Sequence, residues 1–113
     1  MKDASFQVQR GADQSILFTV NTSETSLVAK NLADCTLRCV IGEAATTNLV
    51  FNKALRIIDA PTGQAALDLS PAESRLIPEG RLAEVKIELR EGGLQIIVGR
   101  GRVTGLGGIN LDN

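Results

Sequence analysis

Between Ala83 and Arg90 the chain alternates without a fault. Ala83, Val85, Ile87 and Leu89 stand at every second position, with Glu84, Lys86, Glu88 and Arg90 between them. Side chains on a strand point to opposite faces in turn, so this segment is a strand with one face in a core and the other in water. It closes a longer stretch, ALRIIDAPTGQAALDLSPAESRLIPEGRLAEVKIEL from Ala54 to Leu89, in which shorter alternating runs are broken by Pro-Thr-Gly and Pro-Glu-Gly. A chain patterned this way is built to be a sheet.

The rest of the chain repeats the pattern. Phe6 and Val8 share a face, Gly11-Ala12-Asp13 turns the chain, and Ile16, Phe18 and Val20 share the next face. Thr22-Ser23-Glu24-Thr25 has the composition of a turn between strands. Cys35, Leu37, Cys39 and Ile41 then line one side of a further strand, and Gly42 to Asn48 is expected as a loop. Leu49 to Asp59 is one bent strand or two short ones, with the break expected at Asn52-Lys53, and Ala65, Leu67 and Leu69 mark another. Ser70-Pro71-Ala72-Glu73 is a helix start, with Ser70 as N-cap, Pro71 at the first position and Glu73 three residues on. One short turn through Leu76 is expected, ended by Pro78-Glu79-Gly80. Gly92-Gly93 predicts a hairpin whose second strand spans Leu94 to Thr104. No segment has the length and period of a crossover helix. The fold expected is therefore an all-β, antiparallel, immunoglobulin-like sandwich of about seven to eight strands, with a small barrel as the nearest competitor.

At 113 residues the chain is expected to form a single domain over residues 1–113, with 105–113 as a flexible or strand-donating tail. Aromatic residues are only 3% of it, with no Trp or Tyr, so the core must be aliphatic around Phe6, Phe18 and Phe51. Cys35 and Cys39 lie about 13 Å apart if they share a strand face, too far for a disulfide, and are expected as small buried side chains. An inter-chain disulfide or a shared metal is the alternative.

Function is narrowed by what the chain lacks. It has no His, which removes the commonest general base and any Ser-His-Asp or Cys-His arrangement within the chain. Its carboxylates fall on outward faces and turns. Twelve basic against 13 acidic residues leave a net charge of −1, without the basic excess expected of a nucleic-acid binder. Neither a membrane span nor a signal peptide is evident, so a soluble intracellular product is expected. GRGRVTGLGG lacks the strand–turn–helix context and Lys-Ser/Thr ending of a phosphate loop. A sugar site would want flat aromatic surfaces that the chain does not supply. No enzymatic activity, cofactor, metal or small-molecule substrate is expected.

What remains is contact with other proteins. Leu106, Ile109 and Leu111 form an apolar strip in the glycine-rich end of the chain, suited to a neighbour's sheet edge or to a final strand packed at home. Arg100 and Arg102 share a face and suit either a partner or an ion pair with Glu84 and Glu88.

The order of these signals resembles a known family. SFQVQRGADQSILFTV places an Arg-Gly turn between two strands, and LADCTLRCVI follows. Next come a Gly turn leading into an alternating strand, a Ser-Pro helical step, a Pro-x-Gly turn and a long alternating strand, and VGRGRVTG closes the set. From about Ser5 to Gly105 the chain is similar to the small β-sandwich domain at the N-terminus of phage baseplate upper proteins and related tail modules. The domain is expected to stand alone, without the long C-terminal extension of those proteins. The resemblance implies a virion structural protein, a tail, neck or baseplate adaptor of a tailed bacteriophage. Such a protein would be made in the host cytoplasm and held in several copies by contacts with itself and with other virion proteins. A capsid decoration protein and a cellular β-sandwich interaction domain are the alternatives.

Overall fold

The alternating segments all become strands. The computed structural model describes residues 4–23, 28–43, 49–77 and 83–106. Along them run β1 (Phe6–Gln9), β2 (Gln14–Thr19), β3 (Cys35–Glu43), β4 (Leu49–Ala54), β5 (Arg56–Asp59), β6 (Gln64–Leu69), the single turn α1 (Pro71–Ser74), β7 (Ala83–Glu91) and β8 (Leu94–Leu106). Five strands form one sheet in the order β1-β8-β7-β3-β4, and three form the other in the order β2-β6-β5. The fold is an all-β, sandwich-like pair of sheets.

The core lies between the inner faces. Leu37, Cys39 and Ile41 of β3 sit in register with Leu89, Ile87 and Val85 of β7, and all six are buried. Phe18, Ala65, Leu67 and Leu69 of the smaller sheet pack against them. Each large aliphatic side chain buried in this way contributes about 1.5–3 kcal/mol, which is how so few aromatics suffice. Phe6 and Phe18 meet edge to face at 5.7 Å. Both cysteines are free and buried in this layer.

The Ser70 cap closes as the spacing predicts. The Glu73 N–H donates to Ser70 Oγ at 3.1 Å, and the Ser70 N–H donates to Glu73 Oε1 at 2.9 Å. Beyond this turn the Leu76 and Ile77 N–H groups bond only three residues back, so the helix ends not at Leu76 but at Ser74. Its hydroxyl donates to the Pro71 carbonyl and accepts the Gly11 N–H, both at 2.8 Å, which anchors the β1–β2 turn to α1.

Four further expectations need correction. The chain breaks at Leu55, not at Asn52-Lys53. Those two residues stay in register with Val40 and Cys39, while Leu55 is buried and its N–H donates to the Leu37 carbonyl at 2.9 Å. There the chain leaves the larger sheet for the smaller. The sandwich is also not wholly antiparallel, since β1 runs parallel to β8, pairing Phe6 with Val103 and Gln9 with Leu106. That pairing carries β8 through Gly105 and Leu106, which therefore belong to a strand and not to a tail. Gly42 and Glu43 likewise belong to β3 and not to the following loop. The rest of that loop, Glu24-Thr25, the Pro78-Glu79-Gly80 turn, and Ile109 and Leu111 lie outside the described residues.

Candidate functional site

Strand β8 changes character along its length. The ladder with β7 shifts between Ile87 and Glu88, so Glu88 faces Ile97 while Ile87 faces Gly99. Val98 is the extra residue of this bulge and is fully buried. Beyond it Gly99, Gly101 and Val103 stand opposite Ile87, Val85 and Ala83 on the inner face, and Arg100 and Arg102 fall on the outer one. The bulge thus sets which way both arginines point.

The segment leading into β1 crosses β8 at Gly101. The Ala4 N–H donates to the Arg100 carbonyl at 3.0 Å, and the Arg102 N–H donates to Ser5 Oγ at 2.9 Å. A Cβ at position 101 would stand 2.7 Å from the Ala4 carbonyl carbon and against the Ser5 amide. Only glycine lets the two backbones come this close.

An open groove of about 420 Å³ results, lined by Ser5, Glu84, Lys86, Arg100 and Arg102 over a floor of Val85 and Gly101. Arg102 stands opposite Glu84 across the ladder, and Lys86 stands opposite Arg100. The expected alternative, an ion pair with Glu84 or Glu88, does not form for Arg102: among the described residues no carboxylate pairs with it. Glu88 instead accepts a bond of 3.4 Å from Gln95 Nε2. A second groove, of about 340 Å³, continues past Arg102 along Phe6, Gln7 and Thr104. Leu106, beyond it, is 40% exposed at the end of β8. Arg100, Arg102 and Leu106 thus lie along one strand, on the side of the larger sheet that turns away from the core.

Other charged groups pair within the fold. Asp68 accepts from Arg56 at 2.9 Å and from Ser15 Oγ at 2.6 Å. Its carboxyl is pulled down to about 2, first by the Arg56 bond and then by Ser15. Lys53, on the inner face of β4, donates to the Asp68 carbonyl at 2.6 Å and to Glu73 at 2.8 Å, tying β4 to β6 and α1. That contact lowers the Glu73 carboxyl. Lys30 donates to Glu91 at 3.0 Å and lowers it in turn. Burial pushes the Cys39 thiol up to about 12. Burial, followed by a 3.5 Å contact with Glu91, raises Cys35. Neither thiol is poised as a thiolate. Sequence spacing gave no sign of the Lys30–Glu91–Cys35 or Lys53–Glu73 groupings, whose members are brought together only by the packing of the two sheets.

Among the described residues no group of three or more His, Cys, Asp or Glu is placed to hold a metal ion, and no helix is long and apolar enough to cross a membrane. No protein-family model matches the chain, and no curated protein matches it.

Proposed function

We propose that this protein is a structural adaptor that works by binding other proteins, and that its setting is the tail, neck or baseplate of a tailed bacteriophage. One observation carries the binding role. Among the described residues, each carboxylate and thiol with a displaced ionisation is explained by burial or by a bond that holds the fold together. These groups are thereby committed to the fold. The groups that remain available are on the surface: the groove around Arg102 and Lys86, and the exposed apolar side chains. A rigid sheet that presents such groups suits contact rather than chemistry.

The viral setting rests on the resemblance of residues 5–105 to the immunoglobulin-like sandwich of baseplate upper proteins. Quantitative mass spectrometry of purified virus particles from the source tests it. A fixed ratio of a few to a dozen copies per particle supports the tail, neck or baseplate reading. Hundreds of copies would replace it with capsid decoration, and absence from particles would overturn both.

A further inference from the structure

A sheet edge exposes unpaired N–H and C=O groups, and proteins guard such edges with short strands, bulges or inward-pointing charges. Among the described residues three of the four edges are guarded. β1 and β5 are four residues long, and the β5 ladder shifts between Ile57 and Asp59. β4 points Lys53 inward, and its ladder shifts after Ile41. β2 has none of these features. Its six residues, QSILFT, contain no charge and no proline, and it pairs with β6 without a shift from Gln14↔Leu69 to Thr19↔Gln64.

The parity of that ladder is fixed by Val20, whose N–H donates to the Gly63 carbonyl at 2.7 Å. Gln14, Ile16 and Phe18 therefore turn their backbone groups toward β6, and Ser15, Leu17 and Thr19 turn theirs to the open side. No described strand pairs there. Leu17 is 71% exposed at the centre of this edge, an apolar side chain where edge strands normally carry a charge.

We propose that β2 pairs antiparallel with β2 of a second copy about a two-fold axis at Leu17, joining two three-stranded sheets into one of six. The occupant is read from the strand's self-complementarity. Centred on Leu17, the pairing sets Leu17 against Leu17 and Ser15 against Thr19. It also sets Ile16 against Phe18 and Gln14 against Val20. Leu17, Ile16 and Phe18 meet apolar residues and hydroxyl meets hydroxyl, cross-strand matches that stabilise sheets, while Gln14 meets the apolar Val20. One step further out, Asp13 meets Asn21, so no charge faces its like. Asp68, which accepts from Ser15 Oγ, is already paired with Arg56 at 2.9 Å. A two-fold contact of this kind closes on itself and does not run on into a fibre.

The contact deepens the reading of a multi-copy adaptor and rests on it only in that respect. A chain that is monomeric in solution yet present in particles removes this interface and leaves the adaptor role standing.

Sedimentation equilibrium of the full chain over a range of micromolar concentrations tests the pairing, together with hydrogen exchange. The wild-type mass should approach twice the 12.0 kDa of one chain. Leu17→Pro, which removes an N–H that the monomer does not use, should stay at 12.0 kDa. Leu17→Lys and Leu17→Glu should each weaken pairing about tenfold or more, and an equimolar mixture of the two should recover it. In the wild type the Ser15, Leu17 and Thr19 amides should gain protection as concentration rises. A wild type that stays monomeric overturns the proposal, as does a Leu17→Pro dimer. A dimer in which those three amides exchange freely also overturns it, and so would protection appearing only when an unrelated strand is added. If the proline variant does not fold, the charge pair and the wild-type exchange series decide.

Discussion

Ile87 stands at the centre of the larger sheet, fully buried between Cys39 on β3 and Gly99 on β8. An aspartate there would bury a charge with no partner, at a cost of several kcal/mol. Ile87→Asp should therefore leave no cooperative thermal transition, and Val85→Asp should behave alike; a soluble variant with a sharp melt would contradict the strand's orientation. Which face each residue of Ala83–Arg90 took was legible in the sequence, since period-two alternation needs no partner to be read. The bulge at Val98 decided that Arg100 and Arg102 face outward, but that they share one face was legible for the same reason. The crossing at Gly101 was not, because it depends on Ala4 and Ser5, nearly a hundred positions away. Gly101→Val should drive the β1 lead-in off β8 and lower stability by about 1–3 kcal/mol in denaturant titration. The Phe6 and Val8 amides should lose hydrogen-exchange protection before the rest of the sheet does.

At the scale of elements, the Ser70 cap was legible because all its parts fall within four residues. Ser70→Ala should cost about 1 kcal/mol, measured as a lower urea midpoint at unchanged slope. The end of β4 was misplaced, because Asn52 and Lys53 look like breakers in isolation. In the fold the Lys53 ammonium finds Glu73 and the Asp68 carbonyl, which makes a lysine tolerable on an inner face. The Pro-Thr-Gly break announced a turn, but not its fit. Gly63 adopts a φ of 73°, and a Cβ there would press on the Val20 carbonyl and stand 2.9 Å from that of Lys30. Gly63→Ala should thus destabilise more than Gly93→Ala, since nothing lies within 4 Å of a Cβ at Gly93. Paired thermal melts would show the order.

For the whole molecule, acid should act through the bonded carboxylates. Asp68, Glu73 and Glu91 all titrate lower in the folded chain than is usual. A group lowered by folding stabilises the native state above its unfolded value, about 4, and that contribution is lost as pH falls through the folded value. The melting temperature should hold from neutrality to about pH 5 and then decline toward pH 2, the Asp68 share going last. The pairs are partly exposed, so each share is modest and should shrink with added salt. Arg56→Met should flatten the steepest part of the decline; an unchanged acid limb would remove Asp68 from the account. The amino-acid sequence by itself determined the strand-forming segments, their buried faces, the capped turn and the aliphatic core, because these follow from local period and local hydrogen bonding. Only the tertiary structure decided which strands share a sheet, that β1 runs parallel to β8, where the chain crosses between sheets and which edge no described strand covers. Those outcomes depend on contacts between residues far apart in the chain, and alternation looks the same whichever neighbour a strand is given.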